Sequence, residues 1–476
     1  MAGRETLKDL SDASGPQAPD GDPVPGLVLI FSRDRALSVP VRVDARGVDV
    51  GRDLGPDLAA DEKLSRRHAT VTLEGARLRV TDRGSRNGTF VGGAASPEPA
   101  GRLVEPATVL RMGQSLFLTV ADVRPFEAAP VHAGAVGVIG PTLGHAFQRI
   151  DVVARTSDTL LILGESGTGK ELAARRFHAA SPRAAGPFVA VNCATIPEGI
   201  AERLLFGARR GAFSGATADA DGYLVAAHRG TLFLDELAEL DPAVQPKLLR
   251  VLETREVIPL GDSRGRAVDV GICAATLRDI PERVAQGKFR EDLYYRMGRP
   301  VVRLPPLRAR REEIPFLIQH ALAAVAPDIS ADVALVELCL LRPWPGNVRE
   351  LIGELRRAGH TARDKGRTRV DRLDLGTAAG LHLGAPAAAS APEPARAPAG
   401  EAGDAFPARE RVEEMLRAEN GNVTRAAQRL GLHRNQLRRW LSRHELDPRA
   451  LEAEPEAESE AEAEPAQRPT PTTARD

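Results

Sequence analysis

The stretch that most restricts the fold is Leu160-Leu161-Ile162-Leu163 running directly into Gly164-Glu165-Ser166-Gly167-Thr168-Gly169-Lys170, followed by a helix-forming run from Glu171. An apolar strand, a glycine loop and a helix start in that order belong to a parallel α/β layer. The glycines let successive backbone N–H groups turn inward on phosphate oxygens, the helix N-terminus adds its positive dipole, and Lys170 neutralises phosphate charge. The generic pattern has Ser or Thr after the lysine. Glu171 stands there instead, so one hydroxyl ligand for magnesium is missing.

Downstream, the apolar run Thr231-Leu232-Phe233-Leu234 ends in Asp235-Glu236. An aspartate at the end of a buried strand can hold Mg2+, and the next carboxylate can orient the attacking water. Acidic pairs also serve as plain strand caps, and it is the phosphate loop that favours the catalytic reading. Arg290 and Arg296, six residues apart in "FREDLYYR", fit either trans-acting fingers on a neighbour's nucleotide or surface partners of Glu291 and Asp292. In "GAFSGA", Phe213 has only small neighbours, so its ring is either tucked against another element or held out for a partner.

A chain of 476 residues implies about three domains, and the pattern divides accordingly. Residues 1–24 are polar and read as a disordered leader. From 25 to 124, apolar runs at Leu27 to Phe31, Val39 to Val43, Ala69 to Thr72, Leu78 to Thr81 and Ser115 to Val120 alternate with Gly and Asp clusters, which predicts an all-β sandwich. Residues 136–376 alternate strands with amphipathic helices, among them Pro242 to Arg255 with Leu248, Leu249 and Leu252 on one face. This predicts an α/β core with a helical C-terminal part. Residues 377–407 are an Ala/Pro linker, 408–451 a small all-α domain, and 452–476 an acidic, self-repelling tail.

Charge localises a further function. The net charge is only -1, yet residues 421–444 hold six arginines and no Asp or Glu. Within them "NVTRAAQRLGLHRNQLRRWL" reads as helix, turn at Gly431, helix, with Thr424 as N-cap and Ala426, Ala427, Leu430, Leu432, Leu437 and Leu441 as core. The three cysteines are widely spaced in apolar contexts, as buried thiols of a reducing compartment would be. No run is apolar enough for a membrane helix and the start has no signal-peptide core, which points to a cytoplasmic protein with no membrane partner.

Taken together, "GESGTGKE", "GAFSGA", "GTLFLDE", "FREDLYYR", "LPPLRARREEI" and "WPGNVREL" resemble the sigma-54-dependent activators, or bacterial enhancer-binding proteins, across about Val136 to Leu375. The resemblance implies a AAA+ ATPase that binds ATP and Mg2+ and assembles as a ring, usually a hexamer. Under it, Gly164, Glu165, Ser166, Gly167, Thr168, Gly169, Lys170 and Glu171 form the phosphate loop, with Glu171 the family's own residue there. Asp235 and Glu236 form the second motif, and Asn192 pairs with the catalytic glutamate. Arg290 and Arg296 are the fingers, and Arg349 is the sensor arginine. The turn Gly211, Ala212, Phe213, Ser214, Gly215 and Ala216 touches sigma-54 of the RNA polymerase holoenzyme, so Phe213 is held out for a partner. Ser214 replaces the usual threonine, Arg209 replaces an acid, and Leu277 replaces a sensor asparagine.

Gly51-Arg52, Leu64 to His68 and Gly84 to Thr89 resemble the signature clusters of a forkhead-associated (FHA) domain. The resemblance implies recognition of a phosphothreonine protein, supplied by a Ser/Thr kinase, through Arg52, Ser65, Arg66, Arg86 and Asn87. His68 braces the loop. The C-terminal helices resemble a Fis-type helix-turn-helix on double-stranded DNA, with His433, Arg434, Asn435 and Arg438 toward the major groove, Arg425 and Arg439 nearer phosphates, and Thr424 also in the DNA-binding set. The whole implies a sigma-54-dependent activator under phosphothreonine control. The alternative is a DNA-bound phosphopeptide adaptor whose ATPase core mainly oligomerises.

Overall fold

In a computed structural model, the structure describes residues 21–94, 101–134, 137–197, 199–214, 216–382 and 409–419, with Val423, Ala426, Arg429, Leu430, Leu437, Leu441 and His444. The expected leader up to residue 20, most of the linker, and the acidic tail lie outside the described residues.

Among the described residues the first layer pair comprises nine strands: β1 (Gly26–Ser32), β2 (Arg35–Arg42), β3 (Val48–Val50), β4 (Ala69–Glu74), β5 (Arg77–Asp82), β6 (Thr89–Val91), β7 (Arg102–Val104), β8 (Val109–Met112) and β9 (Ser115–Val120). They form two sheets, ordered β2-β1-β9-β8-β6 and β3-β4-β5-β7, with antiparallel neighbours throughout. The five strands legible from apolar runs are all present. The other four are β3, β6, β7 and β8, each of three or four residues and too short to show a period.

The α/β core is a parallel sheet of β10 (Thr159–Leu163), β11 (Phe188–Asn192), β12 (Gly230–Asp235), β13 (Val270–Thr276) and β14 (Val301–Arg303), in the order β11-β12-β13-β10-β14. Strand β10 therefore lies inside the sheet, and helices cover its faces. On one side are α1 (Pro141–Thr156) and α2 (Lys170–Ala180), whose Phe147, Ile150, Ala173 and Phe177 pack with Leu160 and Ile162. On the other lies α3 (Gln245–Thr254), whose Leu248, Val251 and Leu252 join Leu161, Leu232 and Leu234. Helix α4 (Glu291–Met297) completes that side.

The lid consists of α5 (Ile314–Ala323), α6 (Val333–Leu341) and α7 (Asn347–Asp364). Its core continues past residue 376, because Ala379 is buried and the Gly380 carbonyl accepts from Trp344 N at 3.0 Å. The lid also covers the outer face of the sandwich. Along β1, Leu27 and Leu29 enter the sandwich core, whereas Val28 and Ile30 enter one apolar cluster with Leu317, Ile318, Ala321 and Leu322 of α5.

The C-terminal unit, described by itself, has α8 (Arg409–Ala418). Its Val412 and Leu416 are buried in a cluster with Ala426, Leu437 and Leu441, three of the expected core positions, and Leu430 packs against it. Ala427 and Leu432 lie outside the described residues.

Candidate functional site

The loop after β10 borders a cavity of about 650 Å³. Ser166, Gly167, Thr168, Gly169, Lys170 and Glu171 line it together with Asn192, Asp235, Glu236 and Arg349, so residues from four separated stretches converge, while Gly164 and Glu165 are not among the lining residues. Gly167 has φ 75°, and a Cβ there would stand 2.2 Å from the Gly346 carbonyl oxygen, so the left-handed turn and the close lid both demand glycine. Lys170 opens α2 and is buried. Its Nζ donates to the Gly164 carbonyl and to Glu236 Oε1, both at 3.3 Å. Glu171 is exposed and accepts from Arg175.

Asp235 ends β12, and its Oδ1 accepts from Glu236 N at 3.0 Å. Burial pushes the Asp235 carboxyl above its ordinary range, against the opposing pull of Lys170. A half-buried carboxylate whose charge is disfavoured in this way fits a divalent cation. A single carboxylate is enough for Mg2+, which keeps waters and substrate phosphates among its ligands. Among the described residues no cluster of three or more His, Cys, Asp or Glu forms a metal cage. Asn192 lines the same cavity as Glu236, but its Oδ1 accepts from Ala194 N at 2.9 Å and caps the following turn.

The lid holds the phosphate loop from outside. Arg349 Nη1 donates to Ser166 Oγ at 3.1 Å. Arg308 makes a two-bond contact with Glu165, at 2.6 and 2.8 Å, and that contact holds the Glu165 carboxyl below its usual range. Asn347, buried at φ 51°, accepts from Leu307 N at 2.7 Å and donates to the Ser166 carbonyl at 3.0 Å and to Glu165 Oε2 at 3.1 Å. Sequence reasoning passed over Asn347 and Arg308. The signal was there in "WPGNVREL" and "LPPLRARREEI", which carry a polar or charged residue in otherwise lid-like runs.

Arg290 and Arg296 do not line this cavity. Arg290 is the N-cap residue of α4 and pairs with Asp292 at 2.7 Å, and Arg296 donates to the Leu252 carbonyl at 3.2 Å. Both are exposed. Leu277, just past β13, is 52% exposed and also stands outside the cavity lining.

The turn at 211–216 stands on a two-residue ladder, Gly207 with Asp221 and Ala208 with Ala220. Gly211 N bonds the Ala216 carbonyl at 2.9 Å and Ala216 N the Phe213 carbonyl at 3.0 Å. Phe213 is 38% exposed, with the Arg203 guanidinium 5.6 Å from its ring centroid. Ala212 is half-buried, Ser214 is exposed, and Gly215 lies outside the described residues. Arg209 bonds Asp219 at 2.7 Å and Asp262 at 2.8 Å, so the basic residue that departs from the family pattern finds one acid just past the turn and another on a separate segment.

On the sandwich, Arg52, Ser65, Arg66, Arg86 and Asn87 lie on three interlocked loops. Arg52 N donates to the Ser65 carbonyl at 3.1 Å, Arg86 N to Ser65 Oγ at 3.3 Å, and Asn87 Nδ2 to the Lys63 carbonyl at 2.6 Å. Arg66, Arg86 and Asn87 are exposed, while Arg52 Nε is buried with no hydrogen-bond partner among the described residues. His68 is fully buried. Its Nδ1 accepts from Ser65 N at 3.2 Å, which leaves Nε2 to donate to the Gly88 carbonyl at 3.0 Å, so it braces the loops. The DNA-facing candidates Thr424, Arg425, His433, Arg434, Asn435, Arg438 and Arg439 lie outside the described residues. No helix among the described residues is long and apolar enough to cross a membrane.

Three family profiles match separate stretches of the chain. The family profile described as "Sigma-54 interaction domain" matches residues 139–303, "FHA domain" residues 48–113, and "Bacterial regulatory protein, Fis family" residues 409–444. The chain is 37% identical over 318 residues to the transcriptional regulatory protein GlrR of Escherichia coli, covering 66% of this chain and 68% of that one. It is 37% identical over 360 residues to the C4-dicarboxylate transport transcriptional regulatory protein DctD of Rhizobium meliloti, covering 74% of each. Among solved structures, NtrX from Brucella abortus in complex with ATP is similar at 31% identity and TM-score 0.45, covering 63% of this chain and 67% of that chain.

Proposed function

Because this chain belongs to the sigma-54-dependent transcriptional regulators, with an FHA domain and a Fis-type DNA-binding domain, we propose that it is an ATP-driven activator. In this reading it binds DNA upstream of promoters and remodels the closed complex of sigma-54 RNA polymerase when a phosphothreonine protein engages its first domain. The observation that carries the proposal is the convergence of Lys170, Asp235, Glu236 and Arg349 on one cavity behind a glycine loop.

In the described state Lys170 is paired with Glu236. Phosphate oxygens compete for the lysine, and its transfer to them frees Glu236 to orient a water and accept its proton. Asp235 would hold Mg2+, which supplies neutralisation of phosphate charge when bound. Arg349, reaching from the lid onto Ser166, is placed to report phosphate occupancy to α7. Arg290 and Arg296 are exposed and do not line their own cavity, which suits donation to a neighbour's nucleotide in a ring, hexameric as in the family. The 211–216 turn offers Phe213 to sigma-54, and Arg209 ties the start of the turn to Asp219 beyond it and to Asp262 on a separate segment. On the sandwich, the unpartnered Arg52 Nε suits a phosphate oxygen.

The test is open-complex formation on a sigma-54 promoter with ATP, the parent beside Phe213→Ala. The expected result is opening by the parent, with the variant hydrolysing ATP and leaving the promoter closed. A parent that hydrolyses ATP but never opens the promoter, even with its phosphopeptide present, replaces this reading with the DNA-bound adaptor, in which Leu277 has broken coupling.

A further inference from the structure

Arg310 and Arg311 are adjacent in one short turn of the lid and point into different domains. Arg310 is 2% exposed; its Nη2 donates to the Thr168 carbonyl of the phosphate loop at 2.8 Å, and its Nη1 to the fully buried Glu313 at 2.8 Å. The other Glu313 oxygen accepts from Gly140 N at 2.8 Å, which fixes the carboxylate and through it the guanidinium. Arg311 turns the other way, and its Nη1 donates to the Ala107 carbonyl at 2.9 Å.

Neither anchor is soft. The Ala107 turn is braced by Thr119, whose Oγ1 donates to the Glu105 carbonyl at 2.7 Å and accepts from Thr108 N at 2.9 Å. The surrounding contact is the apolar cluster of β1 with α5, closed at its edge by the Arg111–Glu337 ion pair at 2.7 Å. On the other side, the Thr168 carbonyl and the Gly169 N–H share one planar trans peptide and point in opposite directions. Holding the carbonyl outward therefore sets the direction of the Gly169 N–H, and Gly169 lines the cavity.

We propose that Arg310 is a positioning residue for the phosphate loop and that Arg311 couples that position to the FHA sandwich, so that the seating of the sandwich on the lid sets how well the loop is organised for phosphate. The consequence for nucleotide affinity rests on the reading of the cavity as an ATP site; the coupling itself does not.

The experiment uses the full chain without nucleotide and follows hydrogen exchange of the amides within residues 164–172, then titrates a fluorescent ATP analogue. Arg311→Ala is expected to speed exchange in the loop by about three- to tenfold and to weaken the analogue by a similar factor. Arg311→Lys, which still donates to the carbonyl, recovers most of both, a rescue that simple loss of lid packing would not give. Arg310→Lys keeps the charge but cannot hold both partners, and is expected to speed loop exchange at least as much. Loop exchange in Arg311→Ala equal to the parent, or acceleration confined to the sandwich strands, overturns the proposal, whether or not Arg310→Lys folds. Accelerated exchange in a parent background that binds no ATP analogue supports the coupling and removes the nucleotide reading.

Discussion

Replacing Asn347 with alanine tests how the lid and phosphate loop are joined. The side chain is wholly buried and accepts from Leu307 N at 2.7 Å while donating to the Ser166 carbonyl at 3.0 Å. Truncation strands that buried N–H, at a cost of about 1–3 kcal/mol. The backbone adds to this because φ is 51°, a region asparagine tolerates and alanine resists by about 1–2 kcal/mol. Asn347→Ala should therefore destabilise the lid by about 2–5 kcal/mol, and Asn347→Gly, which keeps the backbone freedom, by about 1–3 kcal/mol. Trp344 reports the transition. It is fully buried, with Nε1 on the Cys339 carbonyl at 2.7 Å, and a Trp440→Phe background leaves it the sole indole. Urea unfolding followed by Trp344 fluorescence gives both differences. An alanine variant within about 0.5 kcal/mol of the parent refutes the hydrogen-bond argument. Equal costs for alanine and glycine remove the backbone part.

Glu312 is buried beside Glu313, and burial first, then that neighbour, push its carboxyl up to about 8 from an ordinary 4.5, with Arg310 opposing. The folded state thus keeps a proton that the unfolded chain releases, so this stabilisation is complete below the unfolded value and fades as pH rises toward 8. Melting temperature should fall from about pH 5.5 to about pH 8.5 more in the parent than in Glu312→Gln, and parallel curves would contradict this. At the sandwich, a Cβ on Gly51 would stand 2.1 Å from the Arg66 carbonyl oxygen. Gly51→Ala should cost phosphopeptide affinity at least about tenfold, read by calorimetry, with ATP turnover kept; unchanged affinity would mean the loops can part. Cys193 and Cys339 are buried with thiols pushed up to about 12, and Cys273 is raised as well. None should react with a disulfide reagent on the minute scale in the folded protein, and a promptly titrating thiol would show a buried segment opening.

Much of the site was legible in the chain because its chemistry is local. A glycine loop between strand and helix fixes its own backbone, and Asp235-Glu236 can only stand where the apolar run before them ends. The arginine-rich stretch at 421–444 declares itself by charge alone, and the long strands by their apolar runs. Even "GLVLIF" held a clue, since an unbroken apolar strand is buried on both faces.

What covers that second face was decided only in three dimensions, where α5 of the lid lies far along the chain from β1. The same holds for Asn347 and Arg310, whose partners Ser166 and Thr168 are 181 and 142 residues away. Residue types and spacing determine which groups a segment can offer. Which buried carbonyl or carboxylate meets them depends on how the layers close, because a hydrogen bond between distant segments leaves no period in either sequence.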